Sequence, residues 1–596
     1  MKFQLIAFLA LGLVLECGAD HARWVDPFIG TAANGHTTPA ACRPFGMVQA
    51  GPDTNTGSWD YCSGYKDWDR ALYGFSQTHL SGTGCSDLGD IRILPFAGDG
   101  VPERCAFRKE SERAKPGYYA VTLHEQGVRA EMTATEHVGI YRFAFDDGTK
   151  ARVLVDPQWG IVNPRHCLTN HVREAAVASP RPDRVEGWIR TAHWGGRFVA
   201  FTVRFSRPAS RVTELPLAPG EKAPKFVLDF ALAKDEPLLV KVALSATDPA
   251  HAELNLAAEA PDWDFDCRRI AAAEAWDAIL SRVDFEGSDA QKRTAYTALY
   301  HLCIQPNNLA DANGDTGDFG FKATKIRRAP MGRCYTTFSF WDTFRAANPL
   351  YTILVPEKIP EFIDSLVFRA EDTGFLPRWQ LWGNDNGCMI GAHGVPLIAD
   401  AYLKGFAYDW ERAYRVARDT LTKVVGWKKA KEDWPVLDKY GYYPFDLKPR
   451  ESASVTMEAA YDDWCLAQMA RGLGKAEDAA YFERRSQGWT NLFDVSTGYV
   501  RGRDSQGRWR EPFDPLSAGH GKAKFRDFTE GNAYQYTWHV MQDPQGLVAA
   551  LGGAEPFAAK LEKLFTLPSK VEGAGFVSDV SGLIGQYAHG NEPSHH

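Results

Sequence analysis

No Cys-x-x-Cys pair, no serine-centred nucleophile elbow and no phosphate-cradling glycine loop occurs in the 596 residues. Those absences remove thiol redox chemistry, zinc ribbons, hydrolase-type acyl transfer and nucleotide hydrolysis from the readings the chain can carry. Basic character is also short: 67 Lys and Arg stand against 75 Asp and Glu, a net charge of −8. No basic stripe gathers along the sequence, which argues against nucleic acid or an anionic membrane surface as the partner. Collagen-like, heptad and low-complexity tracts are missing, as is any short-period repeat. After the first two dozen residues there is no long apolar run, so the mature chain is expected to be soluble, with no membrane partner.

What the chain does have begins with "MKFQLIAFLALGLVLECGAD": Lys2, an apolar stretch from Leu5 to Leu15, then small residues up to Ala19. The run is too short to span a bilayer, and it predicts a secretory signal peptide over residues 1–19, hence export to the periplasm or the cell exterior. Cys17 could mark a lipoprotein site, but Glu16 before it is a poor neighbour for that processing. Removing the signal leaves ten of the 11 cysteines. They are dispersed along a large chain, so disulfides are permitted and free buried thiols equally so. A chain of this length exceeds what one hydrophobic core serves, and two large domains are expected. The 18 Trp and 22 Tyr suit either a large core or surfaces that stack on sugar rings.

The texture changes along the chain. Up to about residue 255, "ARVLVDP", "RFVAFTVRFS", "KFVLDFAL" and "LLVKVALS" are short alternating or apolar runs bounded by Gly, Pro and Asp. Such runs without intervening helices predict an antiparallel β-sandwich. From about residue 266, segments such as "CRRIAAAEAWDAILSRV", "DWERAYRVARDTLTKVV" and "TMEAAYDDWCLAQMARGLG" carry apolar residues at helical spacing and finish near Gly or Pro. Helical hairpins joined by long Gly- and Trp-rich loops predict a toroid. The expected domains are a sandwich over 20–258, a helical linker over 259–286 and a toroid over 287–596.

Chemistry is expected in the loops, where binding groups are displayed by a rigid scaffold. "TEGNAYQYTW" sets Glu530 among Tyr534, Tyr536 and Trp538. A carboxyl among rings is desolvated, which raises its pKa and suits a general acid. The alternative is an acidic residue opening a helix after Thr529, stabilised by the helix dipole. Gln535 can offer a carbonyl oxygen to a hard cation, or simply a hydrogen bond. In "GNEPSHH", Asn591 and Glu592 suit calcium better than a transition metal, and the adjacent His595 and His596 lack the spacing that puts two imidazoles on one helix face. "FWDTFRA" places Asp342 three residues before Arg345, which could be only a helix-surface ion pair. The glycine-rich loops "GSWDYCSGY" and "GFSQTHLSGTGCSDLGD" carry Trp59, Asp60, His79, Asp87 and Asp90, and read either as ordinary turns or as a lid.

Nine blocks, among them "WVDPFIGT", "GFSQTHLSGTGCSDLGDIRILP", "FWDTFRAANPLYTIL", "AAYDDWCLAQMARGLGK", "TEGNAYQYTW" and "GNEPSHH", resemble in order the signatures of glycoside hydrolase family 92, the calcium-dependent exo-α-mannosidases. The resemblance implies an N-terminal antiparallel β-sandwich, a helical linker and an (α/α)6 toroid, incomplete here, with the active site between the domains. It further implies inverting hydrolysis of terminal α-mannosides of glycans, α-1,2-linked first among them. Calcium would bind the sugar's 2- and 3-hydroxyls and help to distort its ring. By motif, Glu530 would be the general acid; Gln535, Asn591 and Glu592 would surround the calcium; Trp59, Asp342 and His595 would shape the mannose pocket.

The family carries its general base in a "GNDD"-type motif, and no "GNDD" occurs in this sequence. Inversion needs both carboxyl groups, so the chain as written is expected to have little or no mannosidase activity. A calcium-dependent mannoside-binding protein without turnover, and one chain of a split enzyme, are the alternatives.

Overall fold

The computed structural model describes residues 21–55, 57–162, 171–192, 194–318, 325–423, 433–518, 526–570, 572–573 and 583–588. The signal-peptide segment and Asn591, Glu592 and His595 therefore lie outside the described residues.

The strand-like half forms two antiparallel sheets. One has eight strands, in the order Val172–Arg181, Arg184–Thr191, Arg197–Phe205, Leu238–Ser245, Val138–Phe145, Val128–Ala134, Tyr118–Leu123, Arg113–Lys115. The other has seven, with Gln49–Asp53, Gly74–Ser76, Arg92–Ala97, Ala151–Asp156 and Lys225–Phe230 as its central run. Register follows from which face is buried: in Arg184–Thr191, Val185, Gly187, Ile189 and Thr191 point inward and the residues between them do not. Phe75, Ile93 and Val153 from one sheet meet Tyr141, Phe201 and Val242 from the other in a single core, the arrangement of a sandwich.

Helices begin where the sequence supplies caps. Asp248 accepts from His251 N at the start of Pro249–Glu259, Asp264 from Cys267 N at Phe265–Leu280, and Ser288 forms a capping box with Gln291 at Asp289–Leu302. The helices Ala347–Leu354, Ile359–Thr373, Gly394–Leu403, Trp410–Thr422 and Ala476–Ser486 pack around Ser452–Gly472, hereafter the central helix. None of the described helices is long and apolar enough to cross a membrane. The cysteines in the described residues are free thiols; burial pushes Cys42 and Cys303 up to about 12, so they act as small apolar fillers.

The two halves are fastened by side chains of the helical half that donate to backbone carbonyls of the sandwich. Trp276 Nε1 donates to Cys42 O at 2.7 Å, Trp382 Nε1 to Phe198 O at 3.0 Å and Asn384 Nδ2 to Gly196 O at 2.8 Å. Beside them Arg197 lies fully buried between Asp87 and Asp90, with Asp90 Oδ1 at 2.7 Å and Asp90 Oδ2 at 3.1 Å. Asp87 also accepts from Gly195 N at 2.7 Å and Asp90 from Thr78 Oγ1 at 2.8 Å. Burial disfavours the guanidinium charge, but the two carboxylates more than offset this and raise its pKa.

Replacing Arg197 with methionine is expected to destabilise the protein by about 3–5 kcal/mol, because two buried carboxylates lose their cation. Urea unfolding followed by tryptophan fluorescence reads this; an unmoved midpoint would show that the triad contributes nothing to stability.

Candidate active site

The segment that carries Glu530 is sewn to the start of the central helix. A helix begins with N–H groups that have no partner of their own, and here the segment's carbonyls take them. Glu451 N donates to Arg526 O at 2.6 Å, and Ala453 N and Ser454 N both donate to Asp527 O at 3.0 Å. Ser454 Oγ accepts from Thr529 N at 3.1 Å, and Tyr536 Oη donates to Thr529 O at 3.1 Å. The next residue, Glu530, is half-buried and has φ +43°. For a residue with a β-carbon that left-handed conformation costs of order 1 kcal/mol. The helix-opening alternative for Glu530 is not what the structure has: the following helix is Ala533–Tyr536, capped by Asn532, so Glu530 precedes the cap and receives no first-turn helix position.

Asp342 sits in the short helix Phe340–Thr343 and is 1% exposed. Its Oδ2 accepts from Ser339 Oγ; its buried Oδ1 has no hydrogen-bond partner among the described residues. The surface ion pair with Arg345 does not form. Arg345 turns instead towards Glu458 Oε1 at 3.5 Å, while Asp342, equally buried, takes the Ser339 hydroxyl.

Glu458 is the residue that sequence reasoning missed. It lies at 0% exposure in the middle of the central helix. Trp341 Nε1 donates to Oε1 at 3.1 Å, while His393 Nε2 and His539 Nε2 stand 3.1 and 2.9 Å from Oε2. One helical turn on, Asp462 takes His393 Nδ1 at 2.7 Å and Ala392 N at 2.7 Å. Phe344 stacks on the His393 ring at 3.9 Å. Burial opposes charge on Glu458, but His539, His393 and Arg345 override it and hold the carboxyl well below the usual range. Burial likewise opposes charge on His393, and Asp462 and Glu458 prevail, raising it to about 9. The signal available in the sequence was the pair Glu458 and Asp462, four apart and so on one helix face.

Trp59 lies in the sandwich half. It is half-buried in Trp59–Tyr61 and meets the His36 ring edge-on at 4.3 Å. Burial and the nearby Lys66 lower His36 to about 4, so its ring is neutral, with Nδ1 3.1 Å from Thr83 O. His79, Asp87 and Asp90 are not lid residues: all three are fully buried, His79 between Asp53 Oδ1 at 3.1 Å and Gln49 O at 2.8 Å. Their glycine-rich loop is pinned.

Of the three candidate calcium ligands, Gln535 is described. Its Oε1 accepts from Asn532 N at 2.9 Å, which leaves a second lone pair, and its Nε2 donates to Gln586 O at 3.0 Å. Gln586 is itself fully buried and precedes Asn591 by five positions in the sequence. An amide oxygen held this way has the chemistry calcium uses. Elsewhere, Glu136, His137 and Glu259 gather ligand-type atoms, but they are paired within the chain. His137 Nδ1 is 2.6 Å from Glu259 Oε1, and Arg333 is 2.7 Å from Glu136 Oε2.

Two family profiles cover the chain. "Glycosyl hydrolase family 92 N-terminal domain" matches residues 24–245 and "Glycosyl hydrolase family 92 catalytic domain" matches residues 251–596. A family GH92 α-mannosidase from Bacteroides thetaiotaomicron, solved in complex with mannoimidazole, is 33% identical, with 97% of this chain and 78% of that chain covered and a TM-score of 0.88. A family GH92 inverting mannosidase from B. thetaiotaomicron VPI-5482 is 27% identical, with 96% and 79% covered and a TM-score of 0.83. An uncharacterized secreted glycosidase of Arthroderma benhamiae is 27% identical over 645 residues, covering 94% of this chain and 76% of its own length.

The His393 cluster makes stability depend on pH with a definite sign. The folded-state pKa of about 9 lies above the ordinary 6.5, so the stabilisation is complete below about pH 6.5 and disappears as pH rises through 9, in total about 3 kcal/mol. Urea midpoints of the native protein should fall over that window relative to those of His393→Gln. Parallel curves would mean that the ring does not titrate there.

Proposed function

Because the chain belongs to glycosyl hydrolase family 92, we propose that it is an exo-acting, inverting α-mannosidase that removes terminal mannose, α-1,2-linked first among the linkages, from glycans outside the cytoplasm. The observation that carries this reading is 33% identity over 97% of the chain to an α-mannosidase solved with a mannose-like ligand. The bare, buried Oδ1 of Asp342 supports it, since a sugar hydroxyl would satisfy that acceptor. The relative from A. benhamiae, described as secreted, supports export.

In this mechanism Trp59 stacks on the mannose ring, and Asp342 and His595 bind its hydroxyls. Gln535, Asn591 and Glu592 would hold calcium, which when bound supplies a hard positive charge for a cis-diol. Glu530 gives its proton to the glycosidic oxygen. The bond from that oxygen to the anomeric carbon breaks, its electron pair leaving with the oxygen. Water adds to the opposite face of the anomeric carbon and surrenders a proton to a second carboxylate acting as base, the two carboxyl groups standing roughly 6.5–9.5 Å apart in inverting enzymes. The strained backbone at Glu530 fits a residue whose direction matters more than its local stability.

The full-length protein, taken as this chain together with a segment that supplies the base, is expected to release mannose from α-1,2-mannobiose with calcium present and to lose that activity on chelation, whereas the 596 residues alone, which contain no "GNDD", are expected to release little or none. Proton NMR of the first product should show the β-anomer; the α-anomer appearing first would exclude inversion. Saturable binding of the disaccharide without release would favour the mannoside-binding alternative. Glu530→Gln should lower kcat about 10²–10⁴-fold with little change in KM. A variant as fast as the native protein would remove Glu530 from the role of acid.

A further inference from the structure

We propose that Ser454 is a positioning residue for the carboxyl of Glu530, fixing Thr529, the residue that precedes it. The inference rests on the reading of Glu530 as the proton donor.

Ser454 is fully buried on the central helix. Its hydroxyl accepts from Thr529 N at 3.1 Å, lies 3.0 Å from Thr529 Oγ1 and can donate to Glu451 O at 3.2 Å. A hydroxyl has one proton and two lone pairs. Both lone pairs are used if Thr529 Oγ1 donates to Ser454 and Ser454 donates to Glu451 O. Every donor in the chain of three is then satisfied. On the far side of Thr529, Tyr536 Oη holds the carbonyl at 3.1 Å. The N–H, hydroxyl and carbonyl of Thr529 are thus all anchored, so both peptide groups flanking that residue are held. Glu530 follows with a left-handed φ of +43°, a conformation that a residue with a β-carbon rarely adopts in a free chain.

The same helix face continues the theme. Ser454, Glu458 and Asp462 recur every four residues. They hold, respectively, the residue before Glu530, the Trp341 side chain beside Asp342, and the 392–393 turn. A single rigid element therefore sets the acid wall and the sugar wall against each other, the kind of support on which the placement of a reacting group depends.

Removing the Ser454 hydroxyl frees the N–H and the hydroxyl of Thr529 and leaves Tyr536 alone to hold that residue through its carbonyl, so the backbone entering Glu530 can shift. An acid displaced by about 1 Å costs on the order of 10²-fold where protonation limits the rate. It costs little where the leaving group departs unprotonated. The test compares α-1,2-mannobiose, whose alkoxide leaving group needs the proton, with 2,4-dinitrophenyl α-mannoside, whose phenolate does not, in the calcium-loaded full-length protein. Ser454→Ala is expected to lower kcat roughly 10–100-fold on the disaccharide and less than about 3-fold on the aryl mannoside. Ser454→Thr, which keeps the hydroxyl, should return most of the loss. Because both rates come from one sample, their ratio does not depend on how much of the variant folds. An equal loss on both substrates in Ser454→Ala, with Glu530→Gln still selective, overturns the positioning role alone. A Glu530→Gln variant without selectivity, or a native protein that cleaves neither substrate, overturns the proton-donor reading and the role of Ser454 together.

Discussion

A carboxylate buried without partners is among the most expensive features a fold can contain, and the helical domain is organised around avoiding that cost at Glu458. The central helix carries this side chain into the interior at 0% exposure. Arg345, His393 and His539 must then converge on it, along with the indole N–H of Trp341. Each of those groups belongs to a different loop or short helix. Their convergence fixes where the segments around Asp342 and Glu530 run, before any substrate is considered. Asp462 repeats the device one turn on by capturing His393 and the backbone of Ala392.

The junction between the domains obeys the same rule with the signs exchanged. Arg197 is a buried cation, and Asp87 and Asp90 close on it from a glycine-rich loop. Such a triad is weak as a source of net stability, because desolvation consumes much of the attraction, and it ties the loop to Arg197 through both carboxylates. The loop is held rigid, and Trp59 and His36 are displayed from a pinned neighbourhood of the sandwich.

Rigidity of this kind is what allows Glu530 to remain at φ +43°. A left-handed residue with a side chain persists when its surroundings over-determine it. The surroundings here are the N–H groups at the head of the central helix, the Ser454 hydroxyl and the Tyr536 phenol. The fold accepts local strain at that point while relaxing the neighbouring turn through the Asn532–Gln535 capping box.

The sandwich and the helical half were legible in the sequence because their signals are local. Alternation in "RFVAFTVRFS" and the period of "DWERAYRVARDTLTKVV" report which face of a strand or helix is buried, whatever packs there. The order of the signature blocks pointed to the family for the same reason, each block being contiguous. What only the tertiary structure decided is pairing between residues distant in the chain. Spacing offered Arg345 to Asp342, three residues away, whereas the fold gives it to Glu458, more than a hundred residues on, since the packing of the central helix and not proximity in sequence decides which buried carboxylate the guanidinium reaches. Spacing offered Glu530 to a helix start; the fold gives it to a strained turn, because the N–H groups of a different helix claim the carbonyls just before it. Pattern along the chain determines which side chains must leave water, and only the folded chain determines which of them must then satisfy one another.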